Sequence, residues 1–154
     1  MQLRFRVSAR VGRPVHEVFE AVADPRQLSS YFTTGGAKGR LEEGATVTWD
    51  FADYPGAFPV RVIEVVPNER IVLRWEAADG DQMDSAGQIA VTDAGYETTV
   101  TMTFRPVDGD PGRTLVEIAE EGWRETDGGL KASYGNCMGW SHMLAGLKAW
   151  MEHG

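Results

Sequence analysis

Few side chains in this sequence combine the type and spacing that chemistry demands. Its three histidines, His16, His142 and His153, are scattered, and its one cysteine, Cys137, has no histidine placed to activate the thiol as a nucleophile. These four residues offer no metal-ligand spacing, so neither a metal nor another cofactor is expected. Asp79, Asp81 and Asp84 resemble the opening of a calcium loop but lack the closing glutamate at the twelfth position. The glycine-rich stretch from Thr33 to Gly39 lacks the lysine and the preceding strand of a phosphate-binding loop, and reads as a linker. General acid–base work needs a titratable group inside a cavity. Tyr31, Asp50, Glu117 and Tyr134 would reach one only if their elements turned differently from the hydrophobic pattern described below. No catalytic residue is assigned, and Cys137 reads as a small buried apolar side chain.

The chain that must position such residues has 154 of them, the size of one domain, and its 42% hydrophobic and 25% charged composition is that of a globular protein. The N-terminus alternates apolar and charged residues, unlike a signal peptide, and no run approaches the roughly 20 apolar residues of a membrane span. A lone cysteine makes no internal disulfide, and a cytoplasmic location is expected. The formal net charge of −8 argues against nucleic acid and anionic membranes as partners. Residues 76–154 carry fourteen acidic and five basic side chains, which reads as a solvated acidic surface.

Leu3, Phe5, Val7, Ala9 and Val11 alternate with polar residues and predict a first strand with one buried face. Pro14 opens a short helix with Val15, Val18, Phe19 and Val22 at helical spacing. Asp24-Pro25 ends it and caps a second short helix whose apolar face is Leu28, Tyr31 and Phe32. Period two returns at Val47, Trp49 and Phe51, from Phe58 to Val66, and at Ile71, Leu73 and Trp75, with a Pro67-Asn68 turn before the third run. Tyr54 to Phe58 reads as an aromatic loop or a bulged strand start. A short strand is expected from Gly87 to Val91, another through Thr98, Val100, Met102 and Phe104, and the last from Thr114 to Ala119. A long helix runs from about Gly128 or Leu130 to Glu152. At 100° per residue it places Trp140, Met143, Leu144, Leu147, Trp150 and Met151 on one arc and His142 away from it. The expected fold class is α+β: a helix-grip fold with a curved antiparallel sheet of six or seven strands around the C-terminal helix and two short helices after strand one.

These residues carry a resemblance. The sequence of Pro14, Val18, Phe19 and Ala21, then Asp24-Pro25, Leu28, Tyr31 and Phe32, then Gly44 before an aromatic strand, resembles the START-like (SRPBCC) helix-grip superfamily. The run from Val62 to Trp75 and the closing Gly139-Trp140, Leu144, Leu147 and Trp150 are similar to the group named after the activator of the heat-shock-protein-90 ATPase. The resemblance spans nearly the whole chain and implies a single START-like domain over residues 1–154. That co-chaperone carries an additional N-terminal domain that has no counterpart here, which argues against a chaperone partner.

Three functional readings follow. In the first, a pocket lined by Phe32, Trp49, Phe51, Trp75, Met102, Trp140, Leu144 and Leu147 takes a small lipid-like, aromatic or polyketide-like molecule. In the second, implied by the resemblance, the chain is a small-molecule enzyme of polyketide cyclase or hydrolase type. In the third it is a protein-interaction module, a homodimer included, using Tyr54 to Phe58, the acidic Glu117, Glu120 and Glu121, and Trp123 beside Arg124 as an interface anchor. If the first and last strands pair, Arg4 and Arg6 should meet Glu117 on the outer face.

Overall fold

In a computed structural model, which describes residues 2–52, 54–77 and 95–154, the alternating segments pair into one seven-stranded antiparallel sheet. In chain order the elements are β1 (Leu3–Val11), α1 (Val15–Ala23), α2 (Pro25–Tyr31), β2 (Gly36–Lys38), β3 (Thr46–Phe51), β4 (Tyr54–Val66), β5 (Arg70–Glu76), β6 (Glu97–Val107), β7 (Asp110–Trp123) and α3 (Asp127–His153). The strand order is β1-β7-β6-β5-β4-β3-β2, so the sheet is a hairpin series with β1 returned to the β7 edge. The expected α+β helix-grip architecture is the one observed.

One face of every long strand carries the apolar set. Val11, Val47, Trp49, Val60, Val62, Ile71, Leu73, Val100, Met102, Val116 and Ile118 are all buried there, and they meet Trp140, Met143, Leu144 and Leu147 of α3 in one core cluster. α1 adds Val18, Phe19 and Val22, with the Phe19 ring edge-on to Phe104 at 5.3 Å. The two short helices meet at Asp24, whose carboxylate accepts from the Arg26 N–H at 3.0 Å and caps α2 as expected. Asn68 takes the left-handed conformation in the β4–β5 turn (φ 65°), which asparagine tolerates better than most residues.

Several expectations need correction. The glycine-rich linker contains β2, paired with β3 through Ala37 and Trp49. Of the two readings of the segment from Tyr54, the bulged strand start is the one observed: it opens β4, with the register irregular between Trp49 and Phe51, and the loop reading falls. β1 does pair with β7, but Glu117 lies opposite Ser8, while Arg4 faces Glu121 and Arg6 faces Ala119. The reason is that β7 runs four residues beyond Ala119, so the register is anchored at Trp123. The short strand from Gly87 to Val91 and the Asp79, Asp81, Asp84 group lie outside the described residues.

Two glycines near the end of β7 admit no side chain readily. Gly122 has φ 110° and is the extra residue where the register shifts between Leu3 and Arg4, a β-bulge that lets both Glu120 and Trp123 turn inward. Gly129, in the first turn of α3, donates its N–H to the hydroxyl of the capping residue Thr126 at 3.0 Å. A Cβ there would stand 1.9 Å from the Arg124 carbonyl oxygen. Gly129→Ala is therefore expected to lower unfolding free energy by about 2 kcal/mol or more, because the helix start must shift. Urea unfolding checks this, and an unchanged midpoint would mean that the close approach is absent in solution.

Candidate functional site

Glu120 is a carboxylate placed where an apolar residue belongs. The inward positions of β7 read Thr114, Val116, Ile118 and Glu120, and all four are buried. Opposite them, β6 presents Thr98, Val100, Met102 and Phe104, and β5 presents Ile71, Leu73 and Trp75, so strand alternation alone carries Glu120 under the C-terminal helix. There α3 supplies Asn136 and Trp140, one turn apart on the same face.

Those four neighbours all donate to the carboxylate. One oxygen, Oε2, accepts from Thr98 Oγ1 at 2.6 Å and from Trp75 Nε1 and Asn136 Nδ2, each at 3.0 Å. The other, Oε1, accepts from Trp140 Nε1 at 2.7 Å and from Asn136 Nδ2 at 3.1 Å. Glu120 is itself fully inaccessible. Burial pushes its carboxyl above the usual carboxylate range, and the hydrogen bonds from Thr98, Trp75, Trp140 and Asn136 pull it part of the way back. All of these partners are neutral, so the charge is met by oriented dipoles and not by a cation.

Around this carboxylate stands a wall of rings. Trp75 and Trp140 lie 5.5 Å apart, Trp49 is 5.7 Å from Trp75 and 6.3 Å from Trp140, and Phe32 contacts Trp140, Trp49 and Phe51 at 5.3, 5.6 and 5.1 Å. The sheet and α3 thus bring together Phe32, Trp49, Phe51, Trp75 and Trp140, and Met102, Leu144 and Leu147 continue the same core. At this end the side chains themselves occupy much of the space between sheet and helix. Two surface hollows, of about 410 and 710 Å³, lie elsewhere: one beside His16, Phe19 and Arg40, the other beside Arg74, Glu97 and Glu121. One donor in the wall has no partner. The Trp49 Nε1–H, on a side chain 1% exposed, meets no acceptor among the described residues, and an unmet buried N–H typically costs about 1–3 kcal/mol.

The remaining candidates are dispersed. His16, His142 and His153 are exposed, as is Tyr134, and Asp50 and Glu117 are half-buried away from the carboxylate's partners. Tyr31 is structural: its hydroxyl donates to the Ala21 carbonyl at 2.8 Å, and burial raises its phenol far above the usual value. Cys137 is half-buried. Trp123 is no exposed anchor, because it is 5% exposed and stacks on Phe5 at 5.5 Å, while Arg124 covers the Tyr96 ring at 4.3 Å. Among the described residues no group of three His, Cys, Asp or Glu is placed to hold a metal, and no helix is long and apolar enough to cross a membrane. Sequence reasoning missed Glu120, Asn136 and Thr98 as a site. The available signal was a polar residue in an apolar register: Glu120 two positions beyond Ile118, and Asn136 within the apolar arc of the last helix.

Likeness to known proteins follows the fold. Residues 13–152 match the family described as activator of Hsp90 ATPase homolog 1-like protein. Nothing among the curated proteins matches the chain. Protein MLL2253 from Mesorhizobium loti superposes with a TM-score of 0.74 at 19% identity, over 97% of this chain and 96% of that one. DynU16, described as a putative protein in the dynemicin biosynthetic locus, gives 0.74 at 24% identity over 98% of this chain and 48% of its own. The Aha1 dimer from Colwellia psychrerythraea gives 0.70 at 18% identity over 98% and 97%.

The raised carboxyl makes stability depend on pH. Below about 4.5, its ordinary value, Glu120 is neutral in the folded and unfolded chain alike. Above that the unfolded chain loses the proton first, the folded chain holds it longer, and stability falls as pH rises toward the raised folded value, by up to about 1.4 kcal/mol per pH unit. Glu120→Gln removes this slope while leaving one indole N–H without an acceptor. Unfolding free energies measured from pH 4 to 8 should show the wild-type advantage over the variant shrinking with rising pH. A constant difference would place the folded carboxyl at its ordinary value.

Proposed function

Because the chain belongs to the activator of Hsp90 ATPase homolog 1-like family, we propose that it uses the START-like fold over residues 1–154 to bind a small apolar or aromatic molecule between the sheet and α3. The observation that carries this reading is the composition of the Glu120 site: a ring-lined interior with a few converging polar groups, the usual make-up of a small-molecule pocket. Phe32 is the wall most easily displaced. It is half-buried, follows the seven-residue α2, and is held chiefly by ring contacts. Relatives similar in fold include DynU16, from a biosynthetic locus, which suits a small-molecule ligand.

Binding is favoured over acid–base catalysis because both oxygens of Glu120, the one deeply buried carboxylate among the described residues, are already engaged by donors. Homodimerisation is a second reading. The Colwellia relative is a dimer, and Tyr134 and Met138, four residues apart on α3, are 67% and 62% exposed. Sedimentation velocity decides it.

The ligand test combines native mass spectrometry of gently purified protein with a thermal-shift screen of fatty acids, aromatics and polyketide-like compounds. A stabilising hit should move the indole N–H resonances of Trp75 and Trp140 in a spectrum of nitrogen-labelled protein. Hits that instead move only residues of the groove beside His16 and Arg40 would put the ligand on the surface and end this reading.

A further inference from the structure

Trp49 carries an unused donor within the aromatic wall. Its ring contacts Phe32, Trp75 and Trp140, and the two neighbouring indoles both spend their N–H on Glu120. Its own Nε1–H has no acceptor among the described residues, although the side chain is buried. Buried polar groups in native proteins are almost always paired, so an orphan inside a candidate ligand site marks the place where the ligand supplies the partner. The partner must be an acceptor, since an indole nitrogen only donates.

The neighbouring carboxylate fixes the acceptor's charge. Glu120 is held by four neutral donors, and the indoles of two of them touch Trp49. Within the same ring cluster a second negative group would meet like-charge repulsion whenever Glu120 is ionised, and none of Glu120's partners is a cation that could offset its burial. Nor can Glu120 easily receive a ligand's donor, because its oxygens are occupied.

We propose that the Trp49 indole N–H is a ligand-reading donor that hydrogen-bonds a neutral oxygen, a ketone or similar carbonyl, on an aromatic ligand, and that the site rejects carboxylate ligands such as fatty acids. This inference rests on the ligand-binding reading above.

Three matched probes test it on the full chain: indanone, indane, which lacks the oxygen, and indane carboxylate. Wild type should bind indanone about threefold to tenfold more tightly than indane, the gain of one ordinary hydrogen bond. The Trp49 N–H resonance, identified by its loss in Trp49→Phe, should move with indanone and much less with indane. In Trp49→Phe the two probes should bind alike, and the carboxylate should not compete in either protein. Equal binding of indanone and indane to wild type, with the Trp49 signal indifferent to the oxygen, overturns the inference and leaves the site standing. Competition by the carboxylate at indanone's affinity overturns the charge selection. Failure of all three probes to bind removes the site and the inference together. If Trp49→Phe does not fold, the wild-type affinities for indanone, indane and indane carboxylate decide the matter.

Discussion

A carboxylate taken out of water must be surrounded by donors, and that requirement ties four elements of this protein together at one point. Glu120 stands on β7, and its partners come from β5 (Trp75), β6 (Thr98) and α3 (Asn136 and Trp140). An ion of this kind left unpaired in an apolar interior would cost far more than the stability of a small domain. The helix can therefore settle on the sheet only in a rotation and height that bring Asn136 and Trp140 to the carboxylate oxygens. Apolar packing alone would tolerate slippage of α3 along the sheet, since leucine and methionine contacts are not directional. The hydrogen bonds at Glu120 supply the direction.

The devices that make this geometry available lie close by in the chain. Gly122 introduces a bulge with a positive φ, so that β7 can present Glu120 and, three residues on, Trp123 to the same interior. Trp123 then closes a small second cluster with Ala77 and Ala132, stacked on Phe5. Thr126 caps α3 directly afterwards, and the packing of Gly129 on the Arg124 carbonyl sets where the helix begins. Sixteen residues separate Glu120 from Asn136, and the connection from Trp123 to Asp127 returns the helix over the strand that the chain has just left.

The outer surface is held more loosely. Arg61 and Arg74 flank Glu97 across three strands, Arg40 pairs with Glu20, and Lys148 with Glu152, all partly exposed to solvent. Such pairs contribute roughly 0–1 kcal/mol each and are weakened by salt. The division of labour is plain: the sheet's outer face keeps the acidic chain hydrated, and specificity of form is concentrated at the inner polar cluster and the rings around it.

The sequence by itself determined the element types, because hydrophobic period and turn chemistry are local. Alternation in β1, the Asp24-Pro25 cap, the Pro67-Asn68 turn and the apolar arc of the last helix all appear in the structure where the residues indicate. The ring-forming residues Phe32, Trp49, Phe51, Trp75 and Trp140 were legible as an apolar set for the same reason. Only the tertiary structure decided the polar heart of the site. Ending the last strand at Ala119 left Glu120 grouped with the acids Glu117 and Glu121, since its charge outweighs the one local sign of burial, its place two positions beyond Ile118. Its burial depends on donors 22, 45, 16 and 20 residues away, which no window along the chain brings together. The register of β1 on β7 was hidden likewise, because it follows from the bulge at Gly122 and from where Trp123 finds its stacking partner. A hydrogen bond between distant elements exists only once the chain has closed, and that is why this one interaction was the last thing the sequence could disclose.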